Sequence, residues 1–146
     1  RDGSFVFSLR AIPDRRDITT IRSDKLLLDI AVRRELGVKE KALSEDQIAA
    51  LIDREGITYI VAQDDFWTDL TEMQRLQNVL RSDHFVEEAA IPIVANVPTV
   101  DKMLHIYRNP HAAPAGAALS IDLPIIGRSV AGTVGGAPTG ESGSQK

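Results

Sequence analysis

One segment near the middle of the chain limits the possible folds most strongly, because it joins a helix to a strand through a single glycine. Ser44 and Gln47 have the spacing of a capping box, in which each side chain satisfies a backbone N–H of the other residue. Gly56 stands where helices commonly end in a left-handed residue, so we predict a helix over 45–55. The apolar run 57–62 follows at once and predicts a buried central strand.

A second helix is predicted over 69–82, because Asp69 and Glu72 repeat the capping-box spacing. The apolar residues of this segment recur at helical intervals on one face. They are Leu70, Met73, Leu76 and Leu80.

The C-terminal half predicts strands. The segments 85–95 and 103–108 are rich in β-formers and are separated by a loop that contains Pro98, so we predict a β-hairpin. The segment 119–126 predicts a further edge strand, which Pro124 limits because proline cannot donate to a ladder.

The N-terminal part predicts extended structure. Segments 4–9 and 18–22 are rich in β-branched and aromatic residues, which favour strands. The segment 26–36 allows two interpretations. Its apolar residues alternate as in a strand, whereas Asp24 as a cap and Gly37 as a terminator would frame a helix. We favour the extended form.

Together these elements predict an α/β fold: a small mixed sheet with right-handed crossovers, two helices packed on it, and a β-hairpin at the end. We expect one domain over 1–126. Its N-terminus is expected to be truncated, because Arg1 opens the chain in place of Met. The segment 127–146 is rich in Gly and Ser and nearly free of bulky apolar residues, so we predict a disordered tail.

Composition excludes several classes of function. A formal net charge of −4 disfavours nucleic-acid binding, because affinity for phosphate depends mainly on cations. The chain has no Cys, and its three His residues lack a metal-ligand spacing, so no metal site is predicted. No glycine-rich nucleotide motif or serine nucleophile motif occurs, so we predict neither a cofactor nor a catalytic residue.

The strongest candidate site follows the predicted strand 57–62. Asp64, Asp65 and Trp67 lie at its carboxyl end, the edge at which open α/β sheets bind ligands. The carboxylates could hold Mg²⁺ or transfer protons, and the indole ring could stack on a sugar. The alternative is structural: Asp69 caps the next helix, the other two carboxylates solvate the turn, and the indole covers the core.

A second candidate group follows the predicted strand 18–22. Asp24 and Lys25 could bind an anion or sugar hydroxyls at the same edge of the sheet. The structural alternative is a turn that contains a local ion pair.

Several strings, read together, are similar to a known family: 2–7, 21–28, 32–38, 59–63, 66–69 and 106–109. The set resembles the soluble C-terminal region of bacterial multi-spanning glycosyltransferases of the protein-mannosyltransferase and aminoarabinose-transferase superfamily. The resemblance covers residues 1–128.

The resemblance implies a parent enzyme that takes sugar from a polyprenyl-phosphate donor. In this family the catalytic acidic residue lies in a loop of the membrane portion, so no catalytic role passes to a residue of this chain. The chain would then be a non-catalytic domain at the extracytoplasmic face of a bacterial inner membrane. Its partners would be its own membrane-spanning portion and the lipid-linked sugar or acceptor. The alternative is an independent soluble α/β enzyme, or a metal- or sugar-binding module, that uses Asp64 and Asp65.

Overall fold

The computed structural model describes residues 2–13, 18–30, 37–94, 102–114, 118–123 and 128–133. The helices within these ranges are α1 (Asp2–Ala11), α2 (Ser23–Leu27), α3 (Glu45–Arg54) and α4 (Thr71–Leu80). The strands are β1 (Leu28–Ile30), β2 (Val38–Glu40), β3 (Tyr59–Ala62), β4 (Val86–Pro92), β5 (Met103–Arg108), β6 (Ala118–Leu123) and β7 (Arg128–Thr133). The predicted small α/β class is confirmed.

The strands form three sheets, β1-β2, β3-β5-β4 and β6-β7. The predicted hairpin is confirmed as β4–β5, with a β-bulge between Glu87 and Ala89. Every pairing within the described ranges is antiparallel. The predicted mixed sheet with parallel crossovers is therefore wrong, because β3 pairs with the second strand of the hairpin, which runs in the opposite direction.

Strand β3 is an edge strand, so the prediction of a central strand over 57–62 is wrong. The hairpin places β5 in the middle and leaves β3 and β4 at the two edges. Along β3, Ile60 and Ala62 pack against the core, whereas Tyr59 and Val61 are exposed. A continuous apolar run therefore does not require burial of both faces, since aromatic and β-branched residues also favour a half-exposed strand.

The core is built between the helices and the inner face of the three-stranded sheet. Its buried apolar residues are Leu26, Leu27, Leu28, Ile48, Ile52, Met73, Leu76, Val79, Leu80, Phe85 and Tyr107. The predicted apolar face of α4 is thus confirmed as a core face. Full burial of a side chain of this size contributes about 1.5–3 kcal/mol, so this cluster dominates the stability of the fold.

The start of α3 matches its prediction. The Gln47 N–H donates to Ser44 Oγ at 3.2 Å, and the Ser44 N–H donates to Gln47 Oε1 at 2.9 Å. The helix ends before Gly56, which adopts the expected left-handed conformation with φ +65°. A Cβ at this glycine would lie 3.1 Å from the carbonyl oxygen of Ala113. Both the positive φ and the close approach of the Ala113 backbone therefore favour glycine here.

The N-terminal predictions of strands are wrong. Residues 4–9 lie in α1, and residues 18–22 form neither a helix nor a strand. Phe7 is 75 % exposed, so β-forming side chains here do not reach the core. A helix satisfies its backbone hydrogen bonds locally, whereas a strand needs a neighbour, which explains how α1 forms against local β-propensity.

The predictions for segment 26–36 and for the C-terminal segments 119–126 and 127–146 agree with the structure only in part. Within 26–36, helix α2 ends at Leu27 and the favoured extended form is confirmed for β1, while 31–36 lie outside the described residues. Strand β6 forms over 118–123, but it pairs with β7 in a separate sheet. Strand β7 replaces disorder in the first part of the predicted tail, because hydrogen bonds to a neighbouring strand hold a segment that has few bulky residues. Residues 134–146 lie outside the described residues.

Candidate functional site

The structure gives Asp24 a structural role. Its carboxylate is 3 % exposed and accepts two hydrogen bonds from the Arg22 guanidinium, from Nε at 2.9 Å and from Nη2 at 3.0 Å. This two-point geometry is a strong form of ion pair, and it fixes the first turn of α2. Lys25 is half-buried on the same short helix. The local ion pair is the alternative that the sequence left open for this segment.

Asp64 is held by an arginine of the following helix region. Arg81 Nη2 lies 2.7 Å from Asp64 Oδ2 and joins the turn after β3 to the end of α4. The turn is tied to α4 at two further points. Gln77 Nε2 donates to the Gln63 carbonyl at 3.0 Å, and Gln74 Nε2 donates to the Thr68 carbonyl at 2.6 Å.

Trp67 covers part of the core. Its ring stacks on Phe66, with ring centroids 4.8 Å apart and planes 13° apart, and both rings pack against the buried cluster. The backbone of Trp67 is left-handed, with φ +50°, which is a strained conformation for a bulky residue. The Leu70 N–H donates to the Trp67 carbonyl at 3.0 Å and helps to hold that conformation.

The residues of the two candidate groups do not lie at one common edge of a sheet. Asp64, Asp65 and Trp67 lie together in the turn after β3, but Asp24 and Lys25 lie on α2, which follows the irregular segment 18–22. Asp24 and Asp64 are bound by different arginines, so each carboxylate already serves its own part of the fold. Nowhere in the described ranges do three or more His, Cys, Asp or Glu residues form a group able to hold a metal ion.

Asp69 does not cap α4, so that prediction is wrong. The N-cap residue is Leu70, and it makes no side-chain capping bond. A glutamate from a distant strand takes this role instead. Glu40 Oε2, on β2, accepts the backbone N–H of Glu72 at 2.6 Å in the first turn of α4. A carboxylate is favoured at this position because the helix N-terminus carries partial positive charge.

Glu40 and Glu72 form a carboxyl pair that sequence analysis missed. Glu72 is 1 % exposed, and its Oε1 accepts the backbone N–H of Leu43 at 2.9 Å. Ala42, in the same loop, is left-handed with φ +57°, so the loop 41–44 wraps around this carboxyl group. Glu72 Oε2 is buried without a protein donor. The side chains of Glu72 and Glu40 are within hydrogen-bond reach of each other, and such a bond between two carboxyl groups requires a proton on one of them.

The two glutamates have opposite pKa shifts. Burial, followed by the contact with Glu40, raises the pKa of Glu72. The hydrogen bond from the Glu72 side chain, followed by that from its backbone N–H, lowers the pKa of Glu40. The pair is too deeply enclosed to meet a substrate, since Glu72 is almost fully buried. It therefore joins β2 to α4 rather than forming an active site.

A second polar network lies where α3, the turn after α4 and the end of β5 meet. His84 Nε2 lies 3.0 Å from both carboxylate oxygens of Asp53. The buried Asn109 donates from Nδ2 to Asp53 Oδ1 at 2.9 Å and to the Ile57 carbonyl at 3.0 Å. The backbone N–H of His111 donates to Asn109 Oδ1 at 2.9 Å. The ring centroids of His111 and His84 are 4.5 Å apart.

The sequence contains little signal for this second network. His84 is 31 residues from Asp53, and Asn109 is 56 residues from it. No local spacing connects residues that far apart, so only the fold shows that two of the three histidines meet. The one sequence hint is Gly56, whose lack of a side chain lets the chain at Ala113 approach the end of α3.

Comparison with known proteins adds no further evidence, since no family model, curated protein or solved structure matches this chain. The helices in the described part of the chain are all too short or too polar to cross a membrane.

Proposed function

We propose that this chain is the non-catalytic domain of a membrane glycosyltransferase that takes sugar from a polyprenyl-phosphate donor. The proposal rests on the resemblance of the sequence strings to that superfamily. Its structural support is one observation: the outer face of the three-stranded sheet is apolar and exposed, as expected for a domain that packs on another part of a protein.

The outer face is defined by the register of the strands. Side chains alternate between the faces of a strand, so residues next to the core-facing Ile60 and Tyr107 point outward. The outer set is Tyr59, Val61, Val86, Ala89, Ile91, Leu104, Ile106 and Arg108. Three members taken from both edges, Tyr59, Val86 and Ile91, are 55 %, 42 % and 47 % exposed.

The charge on this face is low. Its one cationic residue, Arg108, donates from Nε to Glu88 in the bulge of β4. An apolar face with a neutralised ion pair suits a protein surface better than a phosphate group, which would need uncompensated cations. We therefore assign this face to contact with the membrane portion of the parent enzyme, and not to the lipid-linked sugar.

The contacts of several carboxylates support a domain without catalytic activity of its own. Asp24 and Asp64 are engaged by arginines, and the Glu40–Glu72 pair is enclosed. We expect the purified chain to transfer no labelled sugar from a polyprenyl-phosphate donor. Transfer by this chain alone would overturn the proposal.

The sequence of the complete gene gives the most direct test. We expect it to encode several segments of about 20 apolar residues upstream of Arg1, each long enough to span a membrane. A gene that encodes no such segment would contradict the proposal.

The outer face is tested in the complete enzyme. Tyr59→Asp combined with Ile91→Asp should lower sugar transfer at least tenfold without loss of the folded domain, because both charges would enter the proposed contact. Val94→Asp is the matched control, since Val94 is 99 % exposed just beyond β4. Equal activity in the double variant and the control would exclude this face as the contact surface.

A further inference from the structure

We propose that His84 and His111 form a surface site for one exchangeable divalent transition-metal ion of the Zn²⁺, Cu²⁺ or Ni²⁺ class. Neither the resemblance nor the proposed function assigns this site, and it is argued from the geometry of the second polar network alone.

The first argument is the state of His84. Its Nε2 faces both oxygens of the Asp53 carboxylate at 3.0 Å, so Nε2–H is the donor of this hydrogen bond. In the neutral imidazole the other nitrogen, Nδ1, then keeps its lone pair. A histidine that ligates a metal commonly donates its second ring N–H to a carboxylate in this way, which fixes the tautomer and makes the ligand more basic.

The second argument is the nearness of a second imidazole. The ring centroids of His84 and His111 are 4.5 Å apart, and the ring planes are tilted by 38°. Bonds from Zn²⁺ to histidine nitrogen are about 2.0–2.1 Å long, so two nitrogens that bind one ion lie within about 4 Å of each other and their rings must be neighbours, as these two rings are. Nitrogen ligands of this type suit zinc, copper and nickel, whereas calcium and magnesium favour oxygen.

The third argument is that the site is already held in place. Asn109 is 3 % exposed, and its side chain binds both Asp53 and the backbone of His111. The Ala113 N–H also donates to the Asp53 carbonyl at 2.8 Å. One buried amide thus fixes the carboxylate behind His84 and the loop that carries His111, so an ion would not have to order the chain.

The expected site is open and exchangeable. The His84 side chain is 30 % exposed and His111 is exposed, so water can complete the coordination. The proposed site has two protein ligands, His84 and His111, and the described ranges contain no group of three or more ligating residues. Structural zinc sites use four, so this site should bind more weakly than they do.

The experiment is a calorimetric titration of the complete chain, prepared without a histidine tag, with ZnCl₂. We expect one ion per chain. His111→Ala should weaken binding at least tenfold without unfolding, because this side chain is exposed. Asp53→Asn should weaken it by about 10–100-fold, the usual effect of losing a carboxylate that supports a metal ligand. His105→Ala is the matched control, since His105 instead contacts Glu87 at 2.7 Å.

A second readout identifies the ligands. With Cu²⁺, electron paramagnetic resonance should show coupling to two imidazole nitrogens in the wild type and to one in His111→Ala. Zn²⁺ should also raise the melting temperature of the wild type more than that of this variant at the same Zn²⁺ concentration, because a ligand of the folded state stabilises it in proportion to its affinity. Absence of binding at millimolar Zn²⁺, or equal binding by wild type and His111→Ala, would overturn the proposal and leave a tilted ring pair that only packs the loop.

Discussion

Helices α3 and α4 carry the same kind of start signal, yet only α3 uses it. At α3, Ser44 and Gln47 exchange both bonds of the capping box. At α4, Asp69 lies outside the cap, and the first turn is bound by Glu40, 32 residues earlier in the chain. A local signal thus sets a helix start only where no better placed group from another element takes over the exposed N–H groups.

The second residue of each box explains the difference. Gln47 is exposed and free to turn back toward Ser44. Glu72 is almost fully buried, and its carboxyl group binds the N–H of Leu43. Glu72 is therefore drawn into the junction with β2 and does not complete a box with Asp69. Burial in the folded protein has therefore given Glu72 a different role from the one that its capping-box spacing predicts.

The largest expected effect tests whether the two helices depend equally on the core. Leu76 of α4 is 6 % exposed, whereas Leu51 of α3 is half-buried. Leu76→Ala should cost about 2–5 kcal/mol in the free energy of unfolding, because it leaves a cavity in the core. Leu51→Ala should cost clearly less. Urea unfolding of both variants measures this, and an equal or reversed order would show that the helical faces are wrongly assigned.

The next effect tests the distant cap. Glu40→Ala removes the carboxylate that accepts the first-turn N–H of α4, and hydrogen bonds to charged groups contribute about 1.5–3 kcal/mol. We expect a loss within this range in urea unfolding at neutral pH. Asp46→Ala, which removes an exposed carboxylate from the first turn of α3, is the control. If both variants lose the same small amount, Glu40 is not the cap of α4.

The pH dependence of stability separates the two glutamates. The pKa of Glu72 is raised by burial, so the folded state holds its proton more tightly, and this stability is lost as pH rises through the raised pKa. The pKa of Glu40 is lowered by the bond from Glu72, so its contribution is present above the ordinary pKa and lost as pH falls through the lowered one. The charge of Arg75 lowers the pKa of Glu40 further.

Glu72→Gln tests this assignment, because glutamine stays neutral and can donate a hydrogen bond to Glu40. We expect the variant to gain stability relative to the wild type as the pH rises above the ordinary glutamate pKa of 4.5, and to keep the loss that Glu40 causes at lower pH. Urea unfolding measured over a pH series decides the point. A wild type and variant whose stabilities stay parallel over the whole series would show that the pair shares no proton.

The local cap of α3 should have a smaller effect. Ser44→Ala removes the oxygen that accepts the Gln47 N–H, and such substitutions cost about 1 kcal/mol. A shift in the thermal unfolding midpoint measures the loss. A midpoint equal to that of the wild type would mean that water replaces the cap at no cost.

The smallest expected effect is that of replacing Asp69, whose capping-box spacing does not set the start of α4. Asp69 is exposed and lies outside the N-cap position, so Asp69→Ala removes no cap bond of α4. It should change stability by less than about 0.5 kcal/mol, because the interactions of an exposed carboxylate contribute little. A loss as large as that of Ser44→Ala would show that α3 and α4 are capped alike after all.

The candidate sites show the same division between local and tertiary information. The sequence offered a structural role for Asp24, Asp64 and Trp67 as an alternative, and the ion pairs and ring stacking have that form. It could not indicate the meeting of His84 with His111, because residues far apart in the chain leave no local spacing.

The sequence by itself determined α3, the apolar face of α4, the β4–β5 hairpin and the small α/β class. Each depends on side chains only a few residues apart, whose hydrogen bonds and periodicity are set locally. The tertiary structure decided that β3 lies at an edge, that Glu40 caps α4, and that Asp53 orients His84. These outcomes depend on which distant surfaces meet, because a strand, a cap or a buried carboxyl group takes the partner that burial brings to it.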